Sequence, residues 1–303
     1  MTSASLTLAA RSRERWAGLG FFLIAIVWGG TFPVVKDLVV RVPPHALVAS
    51  RFGLAWLALA VWAWQRRGQW QPGLMRAGVF LGLVLWGGFF TQTVGLQYTS
   101  ASKAGFITAL NVVFVAVMAT LFLGKRSGAR TWIGVGVATA GLAVLSADFS
   151  TGLEGLRPEL GDLLVLLCAV LFAAHIVLVD KLAPRFDPVL LTWVQMGTVA
   201  VVAGGSAAVV DEGFVDVLAP GNALPLVYLG LLATAGALVA QVSLQRFVAP
   251  ARVGLILSLE PVFAALFAWM LLGERLAASG WAGGAMVLAG VVLAELDAAG
   301  KKG

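Results

Sequence analysis

The sequence predicts an all-α integral membrane protein, with ten transmembrane helices arranged as two inverted five-helix repeats. Three observations carry that prediction. The chain is too apolar for water, its apolar runs match the thickness of a bilayer, and its second half repeats the first. Of 303 residues, 60% are hydrophobic and 12% are charged, and a further 36 residues are glycine. Soluble domains hold about 45–50% apolar residues, glycine included. So few charged side chains cannot cover the surface of a chain this long.

A helix crossing about 30 Å of hydrocarbon takes about 20 apolar residues. Ten runs approach that length, at 17–38, 45–64, 76–97, 101–123, 130–147, 160–182, 188–209, 223–246, 250–272 and 279–297. The first follows the basic residues Arg11, Arg13 and Arg15 and continues unbroken to Leu38. It therefore reads as an uncleaved span behind a tail, 1–16, and not as a signal peptide. Pro44 and Pro188 open the second and seventh runs, at the helix start where a missing N–H is tolerated. The loops are short, and a second tail covers 298–303. No nucleotide-binding domain fits. The Gly124-Lys125-Arg126 stretch lacks the upstream glycine and spacing of a phosphate-binding loop.

The net charge of +6 reports orientation. With a cytoplasmic N-terminus, fifteen Lys and Arg fall on the cytoplasmic side and five on the other, with Arg51 inside the second span. That bias places both termini in the cytoplasm and the 148–162 loop outside. Trp16, Trp64, Trp70 and Trp132 lie beside the basic clusters and read as interfacial anchors. The single cysteine, Cys168, excludes an intrachain disulfide, and with two histidines, His45 and His175, a zinc site is not expected. No cofactor and no nucleic acid is called for. The expected partners are a small-molecule solute and the lipid bilayer, and a monomeric chain is compatible with both.

The duplication divides the chain into repeats at 17–147 and 160–297. At an offset of 144, Trp28 meets Phe172, Arg41 meets Arg185 and Pro44 meets Pro188. Past a small insertion near 211–222 the offset becomes 149, and Gln92, Trp132 and Gly141 then meet Gln241, Trp281 and Gly290. Shared hydrophobicity does not produce identical Gln, Trp and Gly at one spacing. Five spans are an odd number, so the second copy enters from the opposite face. Inverted repeats of this kind characterise secondary transporters, with the binding site near the midplane between the halves.

The residues Trp28-Gly29-Gly30-Thr31-Phe32, Lys36, Pro44 and Arg51-Phe52 resemble the opening signature of the EamA branch of drug/metabolite transporters. Leu259-Glu260-Pro261-Val262-Phe263, Leu272-Gly273-Glu274-Arg275 and Gly283 resemble that family's C-terminal signature. The resemblance implies a ten-helix inner-membrane exporter of small metabolites, with amino acids as leading candidates. One departure bears on mechanism. The first copy has Asn111 where the second has Glu260, and Lys125 where the second has Glu274, so two symmetric carboxylates are not available.

Candidate solute contacts are polar or aromatic residues placed within spans. Glu260, near the centre of the ninth span, is costly in lipid and is expected to face a cavity or a partner. Pro261 removes the helical partner of the Leu257 carbonyl. The plainer reading pairs Glu260 with Arg51 or another basic side chain to fix packing, and Arg51 reads either as that ion-pair partner or as an attractor of an anionic carboxylate. Pro33 similarly frees the Gly29 carbonyl, and Trp28 and Phe32, one turn apart, are expected on one face. Trp86, Phe90, Thr93 and Gln97 form a stripe on the third span that suits a solute path or helix packing. Gln92 and Gln241 need partners in lipid, in a cavity or between helices. His175 reads as a relay, a solute contact or a hydrogen-bonded interior histidine, and Asn111 is a cavity candidate through its symmetry to Glu260. Gly78 with Gly82, and Gly280 with Gly284, read as close-packing pairs, as do Gly134, Gly136 and Gly141.

These readings converge on a secondary exporter of small metabolites, amino acids including aromatic ones foremost, working by alternating access across a bacterial inner membrane. A proton antiporter using Glu260 is the mechanistic rival, and a passive channel is another. An enzyme would need a nucleophile–base pair or carboxylate cluster, and the sequence offers neither.

Overall fold

A computed structural model describes residues 3–123, 128–146, 159–210, 214, 216–248 and 256–300. Helices dominate the described residues and no strand occurs among them, as expected where hydrocarbon forces backbone groups to bond within their own segment. In chain order the helices are α1 (Ser3–Leu38), α2 (Pro44–Gln65), α3 (Leu74–Tyr98), α4 (Ala101–Thr108), α5 (Asn111–Leu123) and α6 (Ala129–Ser146). The second half holds α7 (Leu160–Leu182), α8 (Pro188–Val209) and α9 (Ala223–Val227), which runs into a π-helix over Tyr228–Gly236. Then follow α10 (Ala237–Leu244), α11 (Glu260–Leu272) and α12 (Ala278–Gly300).

Six helical segments among the described residues are long and apolar enough to cross a membrane: Arg15–Leu38, Pro44–Gln65, Leu74–Tyr98, Leu160–Arg185, Pro188–Val209 and Pro220–Leu244. Shorter apolar helices fill the remaining runs. The expected 1–16 tail is helical from Ser3 and continuous with the first span. Several expectations lie outside the described residues: most of the 148–162 loop, the insertion at 211–213, the start of the ninth run at 250–255, and Lys125, Arg126, Lys301 and Lys302.

Two runs expected as continuous helices are broken. The fourth turns at Ala109–Leu110, where Leu110 N–H bonds the Ile107 carbonyl at 3.1 Å. The ninth turns at Ser258–Leu259, where Leu259 N–H bonds the Ile256 carbonyl at 3.2 Å. Glu260 therefore opens a helix instead of sitting inside one, and Pro261 occupies the first turn, where its missing N–H costs nothing. The breaks obey the repeat: α5 and α11 are each 13 residues long and lie 149 apart. Likewise α2 and α8 are each 22 residues long and lie 144 apart.

The principal helix contacts join one repeat to the other. Repeat-related helices pack on each other, α2 on α8 and α6 on α12, while α1 packs on α11 and α3 on α7 and α8. Lipid tails give no hydrophobic drive for this association, so close approach must supply it. On α3, a Cβ at Gly78 would lie 2.5 Å from Val194 Cγ1, and one at Gly82 would lie 2.9 Å from the Gln195 carbonyl. The second expected pair is only half formed: Gly284 meets the Phe106 ring, while the nearest neighbours of Gly280 are atoms of Leu276 on its own chain segment. A Cβ at Gly136 would meet nothing among the described residues within 4 Å, so the packing reading fails there. Trp16, Trp64, Trp70 and Trp132 are all exposed, as interfacial anchors require.

Candidate functional site

The two helix breaks meet at one cavity between the repeats. Its empty volume is about 620 Å³, open space at its mouth included. Helix α1 contributes Trp28 and Thr31, α2 contributes Arg51, and α3 contributes Leu85, Phe89 and Gln92. The first break adds Thr108 and Asn111, and the second adds Leu257 and Glu260. Phe172, His175 and Ile176 come from α7, and Leu238 and Gln241 from α10.

The π-helix positions two of these side chains. Its Ala233 carbonyl accepts from Trp28 Nε1 at 2.9 Å, and its Thr234 Oγ1 accepts from Arg51 Nε at 2.6 Å. The Arg51 guanidinium lies 4.6 Å from the centroid of the Phe89 ring, in cation–π contact. Phe89 in turn packs edge-on against Phe172 at 5.1 Å. Gln92 Nε2 donates to Thr108 Oγ1 at 3.3 Å, which ties α3 to the first break. His175 Nε2 lies 2.7 Å from Gln195 Oε1, while the Gln195 amide nitrogen donates to the Leu191 carbonyl. An amide oxygen can only accept, so with the amide in this orientation Nε2 is the donor of the bond to Gln195. Among the described residues no three His, Cys, Asp or Glu gather into a metal site.

Of the candidate contacts, Trp28, Gln92, Asn111, His175, Gln241 and Glu260 line the cavity, whereas Phe32, Trp86 and Phe90 do not. Phe32 is 1% exposed and packs in an apolar core with Val35, Phe106 and Ala264. Trp86 stacks on Phe90 at 5.5 Å, and Phe90 packs on His45 at 4.3 Å. The cavity wall of α3 is Leu85, Phe89 and Gln92, a face displaced by one residue from the Trp86 stripe. The expected Arg51–Glu260 ion pair is absent among the described residues; both side chains line the cavity without bridging it. Thr31, Phe89 and Phe172 are cavity residues that the sequence did not nominate, and Arg51, read from the sequence as an ion-pair partner before a carboxylate contact, joins them.

Trp86 Nε1 is buried without a hydrogen-bond partner among the described residues. Trp86→Phe removes that orphan donor, so its melting temperature should match or exceed the wild type and solute preference should stay the same. A changed preference in the folded variant would return Trp86 to the transport path.

A polar clasp joins the repeats at the end of the bundle marked by the α3–α4 connection. Glu274 accepts from Ala101 N–H at 3.0 Å, from Ser102 N–H at 3.1 Å and from Ser102 Oγ at 2.9 Å. Asp162 accepts from Thr99 Oγ1 at 2.6 Å and lies 3.1 Å from Lys103 Nζ. Arg41 Nε donates to Asn222 Oδ1 at 2.8 Å.

Repeats interleaved around a cavity at paired helix breaks define a membrane transporter of the two-repeat type. The EamA-like transporter family model matches residues 15–147 and again 159–296, and the chain belongs to that family. An uncharacterized transporter of Archaeoglobus fulgidus is 31% identical over 286 residues, covering 94% of this chain and 87% of that one. The uncharacterized transporter YcxC of Bacillus subtilis is 29% identical over 72% of this chain and 73% of its own. The uncharacterized inner membrane transporter YedA of Escherichia coli K12 is 24% identical over 91% of this chain and 89% of its own. A crystal structure at 21% identity superposes with a TM-score of 0.67, covering 95% of this chain and 99% of that one, and bears on the fold alone.

Proposed function

We propose that the protein is a secondary exporter of small metabolites, amino acids including aromatic ones foremost. It works by alternating access across an inner membrane, with both termini in the cytoplasm. The observation that carries this reading is the cavity at the two repeat-related helix breaks, walled by Trp28, Phe89 and Phe172 and carrying polar groups of both charge signs. Binding sites of inverted-repeat transporters are built at such breaks. The excess of basic residues on one side supports the orientation.

Counterflow in proteoliposomes loaded with an unlabelled amino-acid panel tests the function. Labelled aromatic amino acid should accumulate transiently, and no exchange of any amino acid would remove the substrate reading. Cysteines placed at Ser3 and Thr151 in a Cys168→Ala background test the orientation. In intact cells an impermeant thiol reagent should label position 151 and spare position 3, and the reverse pattern would overturn the topology.

Proton exchange at Glu260 is the second reading, favoured by a carboxyl in a largely apolar cavity. A Glu260→Gln protein that keeps counterflow but loses its response to an imposed pH gradient would select it.

A further inference from the structure

We propose that Arg51 and Glu260 divide the recognition of a zwitterion: the guanidinium takes a carboxylate, the carboxylate takes an ammonium group, and the aromatic wall takes the side chain. This deepens the export reading and rests on it.

Two charged side chains at the cavity do not meet. Arg51 is 4% exposed, and its side chain has one hydrogen-bond partner among the described residues, Thr234 at Nε. A guanidinium carries five N–H donors in a planar fork. Anchoring at Nε, with the guanidinium carbon over Phe89, leaves the two terminal nitrogens to present a bidentate edge of the kind that matches a carboxylate. The carboxyl of Glu260 has neither a hydrogen bond nor an ion pair among the described residues. Both line the same cavity.

A charge in a membrane interior is costly unless paired. Had these two groups served packing alone, direct contact would have discharged both costs. Held apart, each remains unsatisfied until something enters between them. A solute with one anionic and one cationic group relieves both at once. A monocarboxylate or a monoamine relieves one and leaves the other buried and unpaired, and sites of that kind reject analogues far more strongly than apolar pockets do.

Thr234 is a positioning residue here. It is fully buried on the π-helix and touches the cavity through Arg51. Repeat symmetry explains why the arrangement is single: the counterpart of Glu260 is the uncharged Asn111, so the cavity has one cation-binding end.

The test is ligand binding to purified, reconstituted protein with three probes of one shape: L-phenylalanine, L-phenylalanine amide and 3-phenylpropionate. The wild type should bind the amino acid at least about tenfold more tightly than either analogue. Arg51→Gln should erase the preference over the amide and keep the preference over phenylpropionate, and Glu260→Gln should do the converse. Thr234→Val keeps Arg51 and its charge but removes its anchor. It should weaken discrimination against the amide alone, and Thr234→Ser should restore it, which covers an Arg51→Gln protein that fails to fold. Equal binding of all three probes by the wild type, or uniform weakening of all three in both charge variants, overturns the proposal. Amino-acid counterflow that persists alongside either result leaves the export reading standing while the recognition scheme falls. Absence of counterflow for every amino acid removes the reading beneath it.

Discussion

Gly290→Ala should lower the melting temperature of the detergent-solubilised protein sharply, and Gly290→Leu should yield no folded protein. A Cβ at Gly290 would lie 2.5 Å from both the Ala138 nitrogen and the Gly134 carbonyl oxygen, and 2.7 Å from Ala138 Cβ. Backbone atoms cannot rotate aside as a side-chain tip can. Helices α6 and α12 must therefore part, and overpacking of this kind costs about 1–3 kcal/mol for one added group. The repeat makes the same demand a second time. A Cβ at Gly141 would lie 2.6 Å from the Val287 nitrogen and 2.8 Å from the Gly283 carbonyl oxygen. Gly141 is the repeat mate of Gly290, Val287 of Ala138 and Gly283 of Gly134. The two contacts are thus one contact seen from either helix, and Gly141→Ala should cost about as much. Gly136, on the same α6, has nothing among the described residues within 4 Å of its would-be Cβ. Gly136→Ala should be neutral or stabilising, since alanine exceeds glycine in helix propensity by about 1 kcal/mol. Thermal unfolding followed by size-exclusion chromatography separates the three. A Gly290→Ala protein that melts with the wild type would show that the helices tolerate wider spacing.

These glycines illustrate what a sequence makes visible. Bilayer thickness and the identities shared by the two halves exposed the helical runs and the duplication, because both act on many residues at once. The cavity was partly visible for a related reason. Gln92, Asn111, His175, Gln241 and Glu260 are polar residues in apolar surroundings, and such groups must turn inward to find partners. Aromatic residues carry no such constraint. Phe32, Trp86 and Phe90 suit a core, a lipid face or a cavity equally, and packing alone sends them away from the cavity. Opposite charges in lipid are expected to meet, which favours an ion pair for Arg51 over a carboxylate contact, and the anchor that holds it elsewhere lies in the π-helix. Nothing in the composition of Tyr228–Gly236 announces that geometry. The break at Ala109–Leu110 carries no glycine or proline to mark it. Pro261 does mark the second break, but a proline reads equally as a kink within a helix or as a residue of its first turn.

Glu274→Ala should loosen the clasp at the α3–α4 end and favour its opening. The carboxylate closes two free N–H groups at the start of α4 together with the Ser102 hydroxyl. It reaches them from the α11–α12 connection, in the other repeat. Loss of an N-terminal cap costs about 0.5–2 kcal/mol, and a charged acceptor places the effect towards the upper end. The energy belongs only to the state in which the two repeats touch, so its loss is a loss of closure as well as of stability. At about 2 kcal/mol the ratio of open to closed states would rise roughly 30-fold. The first repeat has lysine at the equivalent position, 125, and an ammonium group accepts no hydrogen bonds. A carboxylate cap at this point of the repeat therefore belongs to one end of the transporter alone. Hydrogen exchange reads the effect directly. The amides of residues 104–108 should exchange on the order of tenfold faster or more in Glu274→Ala, in step with a lower melting temperature. Glu274→Gln, which keeps the shape and one acceptor oxygen, should fall between the two. A lower melting temperature with unchanged exchange across α4 would make Glu274 a helix cap and nothing more, and unchanged values for both would remove it from closure altogether.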